Sequence, residues 1–187
     1  GEETFAGRGV SYCATCDGFF FRNKPIVVVG GGDSACEEAL FLTRFGSSVT
    51  LIHRRDEFRA SKIMEERVRS HPDITLMMNT VVERVNGSDV GAESITVRNR
   101  ATDEVTDVPA NGIFVAIGHT PATECLHGAL ALDDDGYILV DGASTRTSVP
   151  GVFAAGDAVD RVYRQAISAA GMGCRAALDA QRYLSGD

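Results

Sequence analysis

Ile26-Val27-Val28-Val29 runs directly into Gly30-Gly31-Gly32-Asp33-Ser34-Ala35, and this junction constrains the chain more than any other stretch. Four consecutive β-branched residues without polar alternation read as a strand covered on both faces, as in a parallel sheet. The glycines turn the chain. Residues 35–45 then carry Ala35, Ala39, Leu40 and Leu42 or Thr43 at helical spacing, with Gly46 placed to end the helix. Ser34-Ala35-Cys36-Glu37 has the spacing of a capping box. Val49-Thr50-Leu51-Ile52 supplies a second strand, which completes a βαβ unit of the doubly wound type.

Such a turn has a chemistry. Gly30 makes it tight, Gly32 lets a pyrophosphate approach the backbone, and Ala35 permits close helix–strand packing. Gly31, Asp33 and Ser34 complete the expected cradle, and the helix start offers free amides and partial positive charge to phosphates. The alternative is a purely structural glycine loop, which the flanking strand, helix and strand disfavour. Just past the second strand, a fold that prefers NAD places an acidic residue for the ribose hydroxyl. This chain places His53, Arg54 and Arg55 there, with Arg59 one helical turn on. Guanidinium groups suit the 2′-phosphate of NADPH. In a chain of net charge −8 that reading outweighs a merely solvated basic face.

Cys13-Ala14-Thr15-Cys16-Asp17 is the second chemical signal. Zinc needs about four ligands, and a second close Cys or His pair is missing, so no metal site is expected. Unreactive cysteines are a further alternative. A redox dithiol with Asp17 adjacent for proton handling fits best. Cys36 and Cys174 fall inside expected helices and read as small buried hydrophobes, and His71, His119 and His127 form no constellation. Five cysteines with one close pair make a poor disulfide framework and fit a reducing cytoplasm. The acidic balance disfavours nucleic acid or anionic membrane as a partner, and no apolar run reaches the roughly 18 residues of a membrane span.

The rest of the 187 residues organises around these two signals. Residues 1–24 read as loop. A short helix is expected over 61–70 and strands over 74–78, 80–85, 94–98 and 104–108, the last two as an antiparallel hairpin. A strand over 113–117 ends at Gly118, a further candidate for binding the cofactor. Residues 122–136 read as loop, 137–140 and 152–155 as strands, and 164–184 as a helix rich in alanine and glycine.

Taken together, these motifs give the sequence a specific resemblance to one family. It resembles the low-molecular-weight, bacterial-type thioredoxin reductases, flavoproteins of the pyridine nucleotide–disulfide oxidoreductase superfamily. The matching blocks are Cys13-Ala14-Thr15-Cys16-Asp17-Gly18, Gly30-Gly31-Gly32-Asp33-Ser34-Ala35 with Glu37-Glu38-Ala39, His53-Arg54-Arg55-Asp56-Glu57-Phe58-Arg59-Ala60 and Gly151-Val152-Phe153-Ala154-Ala155-Gly156-Asp157. Tyr163-Arg164-Gln165-Ala166, with Ala169-Ala170-Gly171 and Gly173, also matches. The resemblance implies an α/β fold: a Rossmann-like three-layer NADPH-binding domain over residues 1–118, then the C-terminal part of an FAD-binding domain over 119–187. It implies an enzyme that passes electrons from NADPH through FAD to the cysteine pair and on to thioredoxin. Cys16 would lie nearer the flavin, Cys13 would attack the thioredoxin disulfide, and Asp17 would be the acid. Gly156 and Asp157 would hold FAD, and Arg164, Gln165 and Ala166 would line its ring. A homodimer and two alternating domain orientations are also implied.

The family carries a second glycine fingerprint in an N-terminal FAD-binding segment, and this chain has one fingerprint only. Gly1-Glu2-Glu3-Thr4-Phe5 has neither an initiator methionine nor the blocks of a secretory signal. A processed, engineered or truncated chain with an incomplete FAD site is therefore expected. Two other readings remain: a reductase of another disulfide carrier, such as a peroxiredoxin-linked protein, and an NADPH-binding module without activity of its own.

Overall fold

The computed structural model describes residues 1–186; Asp187, the last residue of the second expected domain, lies outside the described residues. Contacts divide the chain into a compact unit Gly1–Gly118 and a second unit that begins at His119. In the first, the elements are β1 (Val10–Ser11), α1 (Ala14–Asp17), a 3-10 helix (Gly18–Phe21), β2 (Pro25–Gly30), α2 (Asp33–Leu42) and β3 (Ser48–Ile52). Beyond them lie α3 (Lys62–Ser70), β4 (Ile74–Met77), β5 (Thr80–Ser88), β6 (Gly91–Asn99), β7 (Val105–Pro109) and β8 (Gly112–Ala116).

Five strands form a parallel sheet in the order β1-β8-β2-β3-β4, and β5-β6-β7 form an antiparallel one. The β-branched run explains the layering. Side chains alternate across a strand, so Ile26 and Val28 pack with Leu51, Phe114 and α2 residues Ala35, Ala39 and Leu42. Val27 packs on the other face with Ile52, Ile113 and residues Val85, Ile95 and Val97 of the antiparallel sheet. The three layers are thus helices, parallel sheet and antiparallel sheet. Val27 and Val28 are fully buried, and each such side chain contributes about 1.5–3 kcal/mol.

Local chemistry departs from expectation at both ends of α2. The helix begins at Asp33 with Gly32 as its cap, so Ser34 sits inside the first turn and no side chain caps the end. Gly46 is absent from the left-handed residues. Its value is space, because a Cβ there would meet Ile26 Cδ1 at 3.0 Å.

In the second unit the regular elements are 3-10 helices at Glu124–Leu126 and Gly156–Ala158 and the long α4, Ala166–Ser185. The expected strands over 137–140 and 152–155 are not formed. Ile138 and Phe153 each make a single antiparallel bridge, to Leu132 and Arg146 respectively, and a strand needs a ladder. No described residue of α4 is buried. Cys174 is accordingly exposed, which corrects its reading as a core residue, whereas Cys36 is buried as expected. Among the described residues, no helix is long and apolar enough to cross a membrane.

Candidate functional site

The carboxyl ends of β2, β3 and β8 lie together in the parallel sheet, which is where open α/β sheets bind ligands. A cleft of about 530 Å³ opens there, lined among others by Gly30, Gly31, His53, Arg54, Arg55 and Arg59. Each glycine has a different reason to be glycine. A Cβ on Gly30 would meet the Ala116 carbonyl oxygen at 2.3 Å and Ala35 Cβ at 2.6 Å, so this position lets β2, β8 and α2 converge. A Cβ on Gly31 would strike the His53 ring at 2.1 Å. At Gly32 a Cβ would meet nothing within 4 Å, so open space stands above the start of α2. The first amides of that helix have no intrahelical partner, and a phosphate fits the space. Gly118, with φ of +111°, also faces open space, next to Ile117 of the cleft wall.

The basic loop is fastened at both ends. His53 pairs by its backbone with Met77 and Thr80, and Asn79 donates to the Arg55 carbonyl at 2.9 Å. At the far end the Arg59 amide donates to the Gly31 carbonyl at 2.7 Å. The Ser61 amide donates to Asp33 Oδ1, also at 2.7 Å. Asp33 therefore ties the arginine loop to the glycine turn. His53 differs from the arginines around it. Its ring is buried, stacks on Phe58 at 5.5 Å and shares a hydrogen bond of 3.0 Å with the Glu57 carbonyl. Burial holds the imidazole below its ordinary range, with Arg55 and Arg54 adding to the effect against the Glu57 and Gly30 carbonyls. His53 thus shapes the loop as a ring held toward its neutral form, while Arg54, Arg55 and Arg59 of the loop, with Arg84 of β5, bring positive charge to the cleft.

Cys13 and Cys16 are joined in a disulfide, the oxidised state of a dithiol. They follow β1 at the sheet edge. Cys13 caps the one-turn α1, and the Cys16 amide donates to Cys13 Sγ at 3.2 Å. Val10 lines the cleft, but Cys13, Cys16 and Asp17 do not. One residue of this arrangement was missed in the sequence. Ser11 is buried; its hydroxyl donates to Asp17 Oδ2 at 2.7 Å and accepts the Cys13 amide at 3.1 Å. It joins the candidate acid to the backbone of the cysteine pair. Nothing in the sequence marks it, since residues 1–24 read as loop and a loop serine has no periodic trace.

The remaining candidates lie in the second unit. Gly156 has φ of +75° and opens a 3-10 helix in which Asp157 is exposed. Asp160 organises the segment after that helix: its carboxylate accepts the amides of Val162 (2.9 Å), Tyr163 (2.9 Å) and Arg164 (3.1 Å) and the Ser168 hydroxyl (3.2 Å). These bonds hold Arg164 at φ of +48°. Arg164 Nη2 donates to the Arg161 carbonyl at 2.6 Å, and Nη1 lies 3.3 Å from His119 Nδ1. Arg164 Nε is buried without a hydrogen-bond partner, which fits a ligand rich in acceptors. Gln165 caps α4 and Ala166 begins it.

The sequence pattern of the family described as pyridine nucleotide-disulphide oxidoreductase matches residues 1–173. The thioredoxin reductase of Mycolicibacterium smegmatis is 58% identical over 185 residues, covering 99% of this chain and 59% of the relative. That of Streptomyces clavuligerus is 55% identical over 184 residues, covering 98% and 57%. The crystal structure of thioredoxin reductase from Streptococcus pyogenes superposes with a TM-score of 0.92 at 40% identity, over 100% of this chain and 61% of that one. The chain therefore spans less than two thirds of the length of these relatives. A dinucleotide-type sheet, a Cys-x-x-Cys disulfide and these likenesses agree: the chain belongs to the pyridine nucleotide-disulphide oxidoreductase family, among relatives that are thioredoxin reductases.

Proposed function

We propose that this chain carries the NADPH-binding and disulfide-exchanging parts of a thioredoxin reductase, with Cys13, Cys16 and Asp17 at the centre of exchange. The observation that carries the reading is the Cys13–Cys16 disulfide in the same unit as a cleft lined by Gly30, Gly31 and four arginines, Arg54, Arg55, Arg59 and Arg84. NADPH when bound would supply a hydride, and FAD would supply the relay of two electrons to the cysteine pair. The glycine turn of residues 30–35 would hold the pyrophosphate, and Arg54, Arg55 and Arg59 the 2′-phosphate. Gly156, Asp157, Arg164, Gln165 and Ala166 would contribute to FAD.

The exchange balances in two steps. The Cys13 thiolate attacks one sulfur of oxidised thioredoxin, forms a mixed disulfide and releases a thioredoxin thiolate, which takes up a proton. The Cys16 thiolate then attacks Cys13 Sγ, restores the Cys13–Cys16 disulfide and frees the second thioredoxin thiolate. Asp17, oriented by Ser11, stands beside the pair to hold and deliver a proton. Exchange with another carrier would follow the same steps; the likeness to thioredoxin reductases favours thioredoxin.

Exchange can be read without flavin. The chain, reduced with a small dithiol and freed of it, is expected to reduce oxidised thioredoxin in a single turnover. Cys13→Ser or Cys16→Ser should cut the yield of reduced thioredoxin at least about a hundredfold. Retained transfer by either variant would overturn the assignment.

A further inference from the structure

Arg100 lies outside the basic loop in sequence and outside the residues that line the cleft, yet the fold brings it to that loop. It follows β6 at the turn toward β7. Its Nη1 donates to the Arg54 carbonyl at 3.1 Å, across 46 positions of sequence. Its backbone amide donates to the Asn79 carbonyl at 2.6 Å, and the Asn79 amide donates in turn to the Arg55 carbonyl. Asn79 holds this bridge with φ of +52°, a conformation that asparagine tolerates better than most residues. The antiparallel sheet thus grips the main chain of both arginines after β3.

Charge points the same way. Arg98, on the same strand, is matched by Glu83 in an ion pair. Among the described residues, the ion pairs use Arg69, Arg98, Arg161 and Arg182, so Arg54, Arg55, Arg59 and Arg100 have no carboxylate partner within 4.0 Å. Four guanidiniums without a carboxylate partner thus stand on one loop and its bracket, a local excess of positive charge that attracts an anion in a chain of net charge −8.

We propose that Arg100 is a specificity-determining positioning residue: it fixes the Arg54 main chain and adds a fourth positive charge to the site for a nucleotide 2′-phosphate. The proposal rests on the assignment of the cleft to NADPH. One nitrogen bonded to a carbonyl leaves the other Arg100 donors free, and the charge reaches a dianion beside Arg54 through partly screened solvent.

The test uses the 187-residue chain and two probes, 2′,5′-ADP and 5′-AMP, titrated calorimetrically. Arg100→Ala is expected to weaken 2′,5′-ADP roughly fivefold and leave 5′-AMP unchanged. The loss should shrink in about 1 M salt, where the screening length falls to about 3 Å. Arg100→Lys should restore most of the affinity, which loss of a purely structural contact would not allow. Equal losses for both probes, or a loss indifferent to salt, would overturn the proposal. Arg54→Ala separates the two ideas. If it abolishes the preference for 2′,5′-ADP while Arg100→Ala does not weaken that probe, the inference fails and the NADPH assignment stands. A wild-type chain with no preference for 2′,5′-ADP defeats that assignment itself, and the inference with it.

Discussion

The unit of residues 1–118 and the unit from His119 onward hold their loops in place by different physical means. In the first, strands covered on both faces fix the glycine turn and the basic loop at the sheet edge. Residues such as Val27, Val28, Leu51 and Phe114 are wholly removed from solvent. In the second, the buried apolar residues among those described are Tyr137, Ile138 and Ala154. Its order comes from carboxylates that gather backbone amides. Asp160 gathers the 162–164 segment, and Asp179 of α4 accepts the Thr145 amide at 2.9 Å and hydroxyl at 2.7 Å. Burial acts without direction and tolerates relaxation, whereas a carboxylate fixes direction and depends on its own charge.

The sharpest way to break this contrast is a matched pair of leucines. Leu51→Ala, in the core of the first unit, is expected to cost about 2–5 kcal/mol in chemical denaturation. Leu178→Ala, on α4 where the side chain is 46% exposed, should cost less than about 1 kcal/mol. Similar losses at the two positions would erase the distinction.

A smaller effect probes the weakness of a buried core. Glu38 on α2 has a buried Oε2 without a hydrogen-bond partner, and burial pushes its carboxyl up to about 7. Because the folded value lies above the free one, the group favours the fold fully below about pH 4.3 and progressively less as pH rises toward 7. Glu38→Gln should therefore raise the melting temperature by about 2–4 °C at pH 8 and change little at pH 4. A gain confined to acid would reverse the sign and refute the account.

In the second unit the sign is opposite and the effect local. The Tyr163 amide, with those of Val162 and Arg164 and the Ser168 hydroxyl, holds Asp160 below the usual carboxylate range despite its burial. The stabilisation is thus present above the ordinary carboxylate value near 3.9 and lost as pH falls through the lower folded one. Amide exchange of Val162, Tyr163 and Arg164 should accelerate roughly three- to tenfold in Asp160→Asn at neutral pH. The rest of the chain should keep its protection, and global loss would show that the carboxylate does more than order a loop.

The same contrast explains what could be read from sequence. Periodicity reports burial, so Ile26 to Val29, Val49 to Ile52 and the antiparallel pairing of β6 with β7 were legible. The motif around Gly30 was legible too, because close approach to Ala116 and Ala35 excludes a side chain. Apolar runs in the second unit misled, since Tyr137 to Val140 has the composition of a strand but finds only one bridging partner within it. Polar contacts across the chain leave no periodic trace. Nothing marked Ser11 as the partner of Asp17, and nothing local linked Arg100 to Arg54. His53 stood among cations in the sequence, and its burial, its stacking on Phe58 and the approach of its ring to Gly31 came only with the structure.

The two short bonds from Arg59 to Gly31 and from Ser61 to Asp33 carry a consequence beyond holding a loop. They tie the glycine turn to the arginine loop, so that under the proposed NADPH assignment the cradle for one phosphate would not shift without the cradle for the other. The cleft would then act as a calliper of set span. A ligand with both charged ends would then be held at two points of set separation, and a molecule that bears only one of them would be held at one, and more weakly.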